Sequence, residues 1–80
     1  MKIYKVSQEQ NSGYDTYDSF ICCAESEMDA ANTSPDGFGW NRKYSGTWCS
    51  TPEQATVEKL GDYTGSESNG TILLASFNAG

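Results

Sequence analysis

The chain has 80 residues, of which eleven are acidic and five are basic, and its formal net charge is −6. A single domain over residues 1–80 gains only about 3–5 kcal/mol from its own core, so we expect it to associate into a homo-oligomer, a dimer or larger. The negative charge disfavours direct binding to nucleic acid or to anionic membrane, and it favours basic protein surfaces as partners.

Two strands joined by a tight turn are predicted at the start of the chain. Residues 3–8 and 17–25 combine β-branched and aromatic side chains with polar ones, and residues 10–13 are turn formers. Alternation along the second strand places Phe20, Cys22 and Ala24 on one face of the sheet. The connection is too short for a parallel crossover, so the two strands should form an antiparallel hairpin.

A short helix is predicted over residues 26–32. Ser26 can cap its N-terminus, and the acidic residues that follow suit the positive end of a helix. Met28 and Ala31 stand three apart and predict a narrow apolar stripe that docks on the sheet. Pro35 ends the helix, because the residue before a proline is disfavoured in helical geometry.

Two further strands are predicted in the second half of the chain. Residues 34–51 have no clean period and predict a long loop, with one short strand over 44–49 as an option. Residues 55–60 alternate as a third strand, and residues 61–70 resemble a polar hairpin loop. Residues 71–77 form the most apolar run, which predicts a central strand that is covered on both faces. A central position for both this strand and the first one would suggest that the two pair.

The predicted fold class is therefore α+β, in the order β-β-α-β-β. It comprises a four-stranded antiparallel sheet with one short helix on one face, and a long aromatic- and glycine-rich loop after the helix. The opposite face then lacks a helix. The long loop, a second copy of the chain or a partner must cover it.

The sequence offers little catalytic chemistry. It contains no histidine, the most common general base and zinc ligand, and no nucleotide-binding motif. Cys22 and Cys23 should point to opposite faces of a strand and so cannot ligate one metal together. We expect at least one of them in the core and Cys49 at the surface or in an interface. The sequence thus predicts a protein that is not an enzyme and that carries no cofactor and no metal.

The strongest candidate for a binding site is a stretch in which aromatic and basic residues alternate. Its members are Trp40, Arg42, Lys43, Tyr44 and Trp48. Aromatic rings stack on planar groups, and arginine and lysine bind phosphates or carboxylates, so the stretch could hold an anionic or planar ligand. The alternative is that the two tryptophans anchor the loop in the core and that the basic pair is solvated.

A second candidate lies in the predicted turn between the first two strands. Tyr14, Asp15 and Tyr17 form an aromatic and acidic cluster. The tyrosines could belong to a binding surface or could simply pack against neighbours. The aspartate could bind a partner, but aspartate is also a common turn residue.

Three features of the sequence indicate the cellular compartment of the protein. No long apolar stretch follows the lysines near Met1, no apolar run is long enough to cross a bilayer, and the number of cysteines is odd. We therefore expect a cytoplasmic protein.

The two ends of the chain resemble a group of small, uncharacterised bacteriophage proteins. The resemblance rests on the segment from Tyr14 to Ser19, on the final residues from Ala75 to Gly80, on the start from Met1 to Gln8 and on the junction at Cys23-Ala24-Glu25. It thins between Pro35 and Thr51. The order of elements is also similar to that of some small anti-CRISPR proteins, which bind a host effector complex.

These similarities imply a phage anti-defence protein in the cytoplasm of an infected bacterium. In the first hypothesis it inhibits a defence system by binding a host protein or effector complex. In the alternative it is an oligomeric sponge that sequesters a nucleotide-like signalling molecule in the aromatic and basic stretch.

Overall fold

The computed structural model describes residues 1–11, 13–35, 48–49 and 51–78. It confirms the predicted class, with a four-stranded antiparallel sheet and one short α-helix. The elements in chain order are β1 (Lys2–Ser7), β2 (Thr16–Ala24), α1 (Glu27–Ala31), a 3₁₀ turn (Pro52–Gln54), β3 (Thr56–Asp62) and β4 (Thr71–Asn78).

The predicted hairpin of β1 and β2 is confirmed, and it forms the centre of the sheet. The two strands pair antiparallel, with Tyr4 opposite Cys22 and Val6 opposite Phe20. These four side chains are buried on the face that α1 covers. Residues directly opposite each other share a face, so the two strands supply a continuous apolar layer for the helix to cover.

The strand order is β3-β1-β2-β4, which corrects two predictions. β4 is an edge strand rather than a central one, and it pairs with β2 rather than with β1. Both sides of β1 are already occupied, by β2 and by β3. An apolar run predicts a strand but does not specify its neighbours, and Leu74 in β4 is 69% exposed.

The segment between β3 and β4 is not the predicted hairpin loop, because these strands lie at opposite edges of the sheet. It crosses one end of the sheet instead. The amide of Tyr63 donates to the carbonyl of Met1 at 2.9 Å, and the amide of Gly70 donates to the carbonyl of Cys23 at 2.8 Å. Gly70 has a φ of 85°, a conformation that glycine adopts without steric cost.

The helix α1 begins as predicted but buries a different residue. The Ser26 hydroxyl accepts a hydrogen bond from the Asp29 amide at 3.1 Å, which confirms the cap. Ala30 is buried against the sheet, whereas Met28 is 74% exposed. The predicted stripe of Met28 and Ala31 is therefore wrong: a helix of five residues is too short for a stripe, and it is Ala30 that reaches the sheet.

All three cysteines are free and buried. Cys22 belongs to the core cluster, and Cys23 is also fully buried. The prediction that at least one of the two lies in the core is confirmed. Cys49 also belongs to the core cluster, which corrects its predicted place at the surface or in an interface. Cys49 directly follows Trp48, whose ring is buried in the same cluster. Because the two residues are adjacent, the burial of Trp48 also brings the Cys49 thiol into the core.

Two irregularities in the pairing of β2 with β4 decide which side chains share a face. The register shifts between Tyr17 and Ser19 and again between Ile21 and Cys22. As a result Ile72 pairs with Cys22 on the helix-covered side, while Leu74 pairs with Ile21 on the opposite side. We call that opposite side the open face. In the part of the chain that the structure describes, no helix packs on it.

Candidate functional site

Most of the aromatic and basic stretch lies outside the described residues. Trp40, Arg42, Lys43 and Tyr44 are in the range 36–47, as is most of the strand suggested over 44–49. Their role in binding stays a prediction.

Trp48 is the member of that stretch that the structure places, and it lies in the core. Its side chain is 2% exposed, and its ring centroid lies 5.2 Å from that of Phe20, with the ring planes tilted by 50°. Its indole Nε1 is buried and has no acceptor within the described ranges. The packing matches the core alternative for this tryptophan, and its contribution to a binding site stays a prediction.

The second predicted cluster lies at one end of the sheet, in and after the β1–β2 turn. Tyr14 is 81% exposed and Asp15 is exposed with a φ of 60°. Tyr17 instead packs against the core and against Phe77, with ring centroids 4.7 Å apart. The structure therefore separates the three: Tyr14 and Asp15 are accessible to a partner, and Tyr17 is mainly a packing residue.

Sequence reasoning missed the side chain that organises this turn. Gln8 is buried, and its Nε2 donates to the carbonyls of Asn11 at 2.6 Å and Tyr17 at 2.9 Å. Its Oε1 accepts from the amide of Asn11 at 2.8 Å. A glutamine that follows a strand has no distinctive pattern, so nothing in the sequence could have marked it.

The structure also forms a groove that the sequence did not reveal. It lies between α1 and the 3₁₀ turn, with a volume of about 520 Å³. We call it the α1 groove. Its described lining residues are Glu27, Met28, Ala31, Asn32, Pro52, Glu53, Ala55 and Val57.

The lining of the α1 groove combines apolar side chains with one glutamate on each of its two rims, which are α1 and the 3₁₀ turn. Met28, Pro52 and Val57 contribute apolar surface, while one glutamate stands on each side, Glu27 on α1 and Glu53 on the 3₁₀ turn. Each glutamate is in the first turn of its own short helix. No lysine or arginine is among the described lining residues. Such a groove suits a ligand with an aliphatic part and a positive charge.

The two rims are held by local hydrogen bonds. Ser26 caps α1, and a capping box joins Thr51 to Gln54 at the 3₁₀ turn, with the Thr51 amide donating to the Gln54 side chain at 3.2 Å. The sequence predicted the cap at Ser26, and its segment Thr51-Pro52-Glu53-Gln54 is typical of a capped turn. It could not show that they meet, because they are more than twenty residues apart and only the pairing of β3 with β1 brings them together.

Two of the buried cysteines, Cys22 and Cys49, have thiols that resist ionisation. Burial raises the pKa of the Cys22 thiol to about 11, with a smaller contribution from neighbouring Cys23. Burial also raises the pKa of Cys49, against a lowering effect of a backbone hydrogen bond. Thiols with raised pKa values stay protonated at neutral pH and react slowly.

Within residues 1–11, 13–35, 48–49 and 51–78, no three histidine, cysteine or carboxylate side chains are grouped so that they could hold a metal ion. No helix among these residues has the length and apolar character that a membrane crossing requires.

Comparisons with protein-family models, with curated proteins and with solved structures found no match to this chain.

Proposed function

We propose that this chain is a non-enzymatic binding protein that inhibits its target by holding a basic segment of that target in the α1 groove. The observation that carries the proposal is that Glu27 of α1 and Glu53 of the 3₁₀ turn line the same groove as the apolar residues Met28, Pro52 and Val57. Lysine and arginine side chains have an aliphatic stem and a charged head, so the apolar residues would meet the stem and the glutamates would meet the head.

The charge of the whole chain supports the same partner. At −6, the protein attracts basic surfaces over a long range and speeds encounter with them. Basic surfaces are typical of proteins that bind nucleic acid. Together with the resemblance to phage and anti-CRISPR proteins, this supports a host defence protein or effector complex as the target, met in the cytoplasm of an infected bacterium.

Met28 supports a protein partner over a free ion. A methionine side chain that is 74% exposed beside a groove is a flexible apolar contact of the kind found at protein-binding surfaces. The raised pKa values of the Cys22 and Cys49 thiols support a role other than nucleophilic catalysis for these two residues.

The test uses a fluorescent peptide of alternating lysine and leucine, with fluorescence anisotropy as the readout. We expect the double variant Glu27→Gln/Glu53→Gln to bind it about tenfold more weakly, a change of about 1.4 kcal/mol. The matched control is Glu9→Gln/Glu58→Gln, which removes the same charge from exposed positions outside the groove lining. Binding should also weaken as salt is raised.

Equal weakening by the two double variants would contradict the groove as the site, since only net charge would then matter. A peptide with glutamate in place of lysine should not bind. If it bound as well as the basic peptide, the proposed chemistry of the partner would be wrong.

A nucleotide sponge remains the second candidate, and the sequence of the aromatic and basic stretch favours it. Arg42 and Lys43 are the only basic residues between Val6 and Glu58, and they lie among aromatic residues. A bound nucleotide at a hundred times its dissociation constant would stabilise the fold by about 2.7 kcal/mol. A thermal shift with a panel of nucleotides, lost in Arg42→Ala/Lys43→Ala, would support this function, and no shift would exclude it.

A further inference from the structure

The two edges of the sheet differ in a way that bears on association. An edge strand exposes unpaired backbone groups, and charged side chains are a common protection against pairing with another chain. β3 has such charges in Glu58, Lys59 and Asp62. β4 has none in its eight residues.

The surface beside β4 is apolar. Leu74 is 69% exposed, and Leu73 and Phe77 are also exposed. On the open face a depression of about 220 Å³ lies along β2 and β4. Its lining is uncharged in the part of the chain described here: Ser19, Phe20, Ile21, Leu74, Ala75 and Ser76.

From these observations we infer that β4 pairs antiparallel with β4 of a second copy of this chain, forming a dimer with one continuous eight-stranded sheet. This inference does not depend on the function of the α1 groove. In a dimer with a twofold axis, the same strand of each copy forms the contact, so this surface must be complementary to itself. A register with Leu74 opposite Leu74 also sets Leu73 opposite Ala75, which are all apolar.

The distribution of charge favours a second copy of the chain over a basic protein as the partner that pairs with β4. Two copies that each carry −6 repel each other, so they can meet only where the carboxylates are absent. The middle of the β4 edge, around Leu74, is such a place, whereas Asp15 and Asp18 contact Asn78 at the end of the strand. The β3 edge would bring Glu58 and Asp62 into the contact. A basic partner, by contrast, would find no carboxylate on β4 to bind.

A standard interface buries about 800 Å² on each partner, which is about a sixth of the 4988 Å² that one chain exposes. Strand pairing alone buries less than this, so we expect a dimer that forms at high protein concentration. The α1 groove lies beside Val57 of β3, at the opposite edge, and stays accessible in both copies.

The test is sedimentation equilibrium of the full chain over a range of concentrations. The wild type should be a dimer at high concentration, and Leu74→Lys should raise the dissociation constant at least about tenfold, because it sets like charges opposite each other. The matched control is Leu60→Lys in β3, which places the same charge on the other edge and should leave the dimer intact. Circular dichroism verifies that both variants fold.

Hydrogen exchange of the wild type gives a measurement that needs no variant. Amides of residues 71–78 should exchange more slowly as the protein concentration rises, and those of residues 56–62 should not change. Raising the salt should strengthen the dimer, because it screens repulsion between the copies, whereas it should weaken peptide binding in the groove. A wild type that is monomeric throughout, an assembly larger than a dimer, or equal effects of the two lysine variants would overturn the inference.

Discussion

The rings of Phe20 and Trp48 pack with their centroids 5.2 Å apart and their planes tilted by 50°. This contact joins the central strand β2 to Trp48, the last member of the aromatic and basic stretch. Aromatic pairs in tilted geometry add to the stabilisation from burial alone. In a core as small as this one, the pair should hold a large share of the total stability.

We therefore predict that Trp48→Ala lowers the free energy of unfolding by about 3–5 kcal/mol, which is close to the whole stability of the domain. Trp48→Phe should cost much less, because it keeps a ring against Phe20 and removes the buried Nε1 that lacks an acceptor in the described ranges. Urea unfolding followed by circular dichroism measures both. An alanine variant as stable as the phenylalanine variant would show that the ring contact is not a core contact.

Gln8 provides a second prediction, on the turn between β1 and β2. Glu has the same shape, but its carboxylate cannot donate to the carbonyls of Asn11 and Tyr17. We expect Gln8→Glu to lower the free energy of unfolding by about 1–3 kcal/mol, and to recover part of it at acidic pH, where the carboxyl group can donate. Gln10→Glu is the matched control, since it adds the same charge at an exposed position of the same turn. Equal effects of the two variants in urea unfolding would refute the role of Gln8.

The elements that the sequence predicted well are those set by local chemistry. The β1–β2 hairpin follows from two alternating segments and a short polar turn, and the start of α1 follows from the cap at Ser26. Both depend on residues that are close in sequence. Their physical causes are therefore visible in a short stretch of chain.

The strand order and the groove were not predictable in this way. The apolar run of β4 is compatible with a central strand and equally with an edge that associates, and only its pairing with β2 decides. The α1 groove needs Glu27 and Glu53 to come together, which is a consequence of how β3 pairs with β1. Acidic residues in two separate turns gave no sign of this.

Asp15 leads to a third prediction, which separates backbone strain from function. Its φ of 60° lies in the left-handed region, which costs a residue with a side chain about 1–2 kcal/mol and which aspartate tolerates better than most. Asp15→Gly should leave the stability unchanged or raise it by up to about 1 kcal/mol, whereas Asp15→Val should lower it by about 1–2 kcal/mol. Urea unfolding gives the stabilities.

The same pair of variants tests the predicted binding role of Asp15. If the carboxylate contacts a partner, the glycine variant should be stable but should bind that partner more weakly than the wild type does. A glycine variant that is stable and binds as tightly as the wild type would leave Asp15 as a turn residue only.

The last prediction concerns pH and the buried thiol of Cys22. Its pKa is raised from 9.0 to about 11, mainly because burial disfavours the thiolate and partly because of Cys23. Between about pH 9 and pH 11 the unfolded chain releases a proton that the folded chain keeps. The contribution of Cys22 to the free energy of unfolding should therefore be fully present below this range. It should fall as the pH rises through the range, by up to about 1.4 kcal/mol per pH unit.

Urea unfolding of the wild type and of Cys22→Ala at about pH 7, 8, 9 and 10 measures this effect. The alanine variant should be less stable at neutral pH, but its stability should fall less steeply between the last two points. Tyr63 has the same sign of effect, since a hydrogen bond to the Glu67 side chain raises its pKa to about 12, and this contribution is present in both proteins. Equal slopes would mean that the Cys22 thiol ionises in the folded chain as readily as in the unfolded one, and that the core is open to water at the centre of β2.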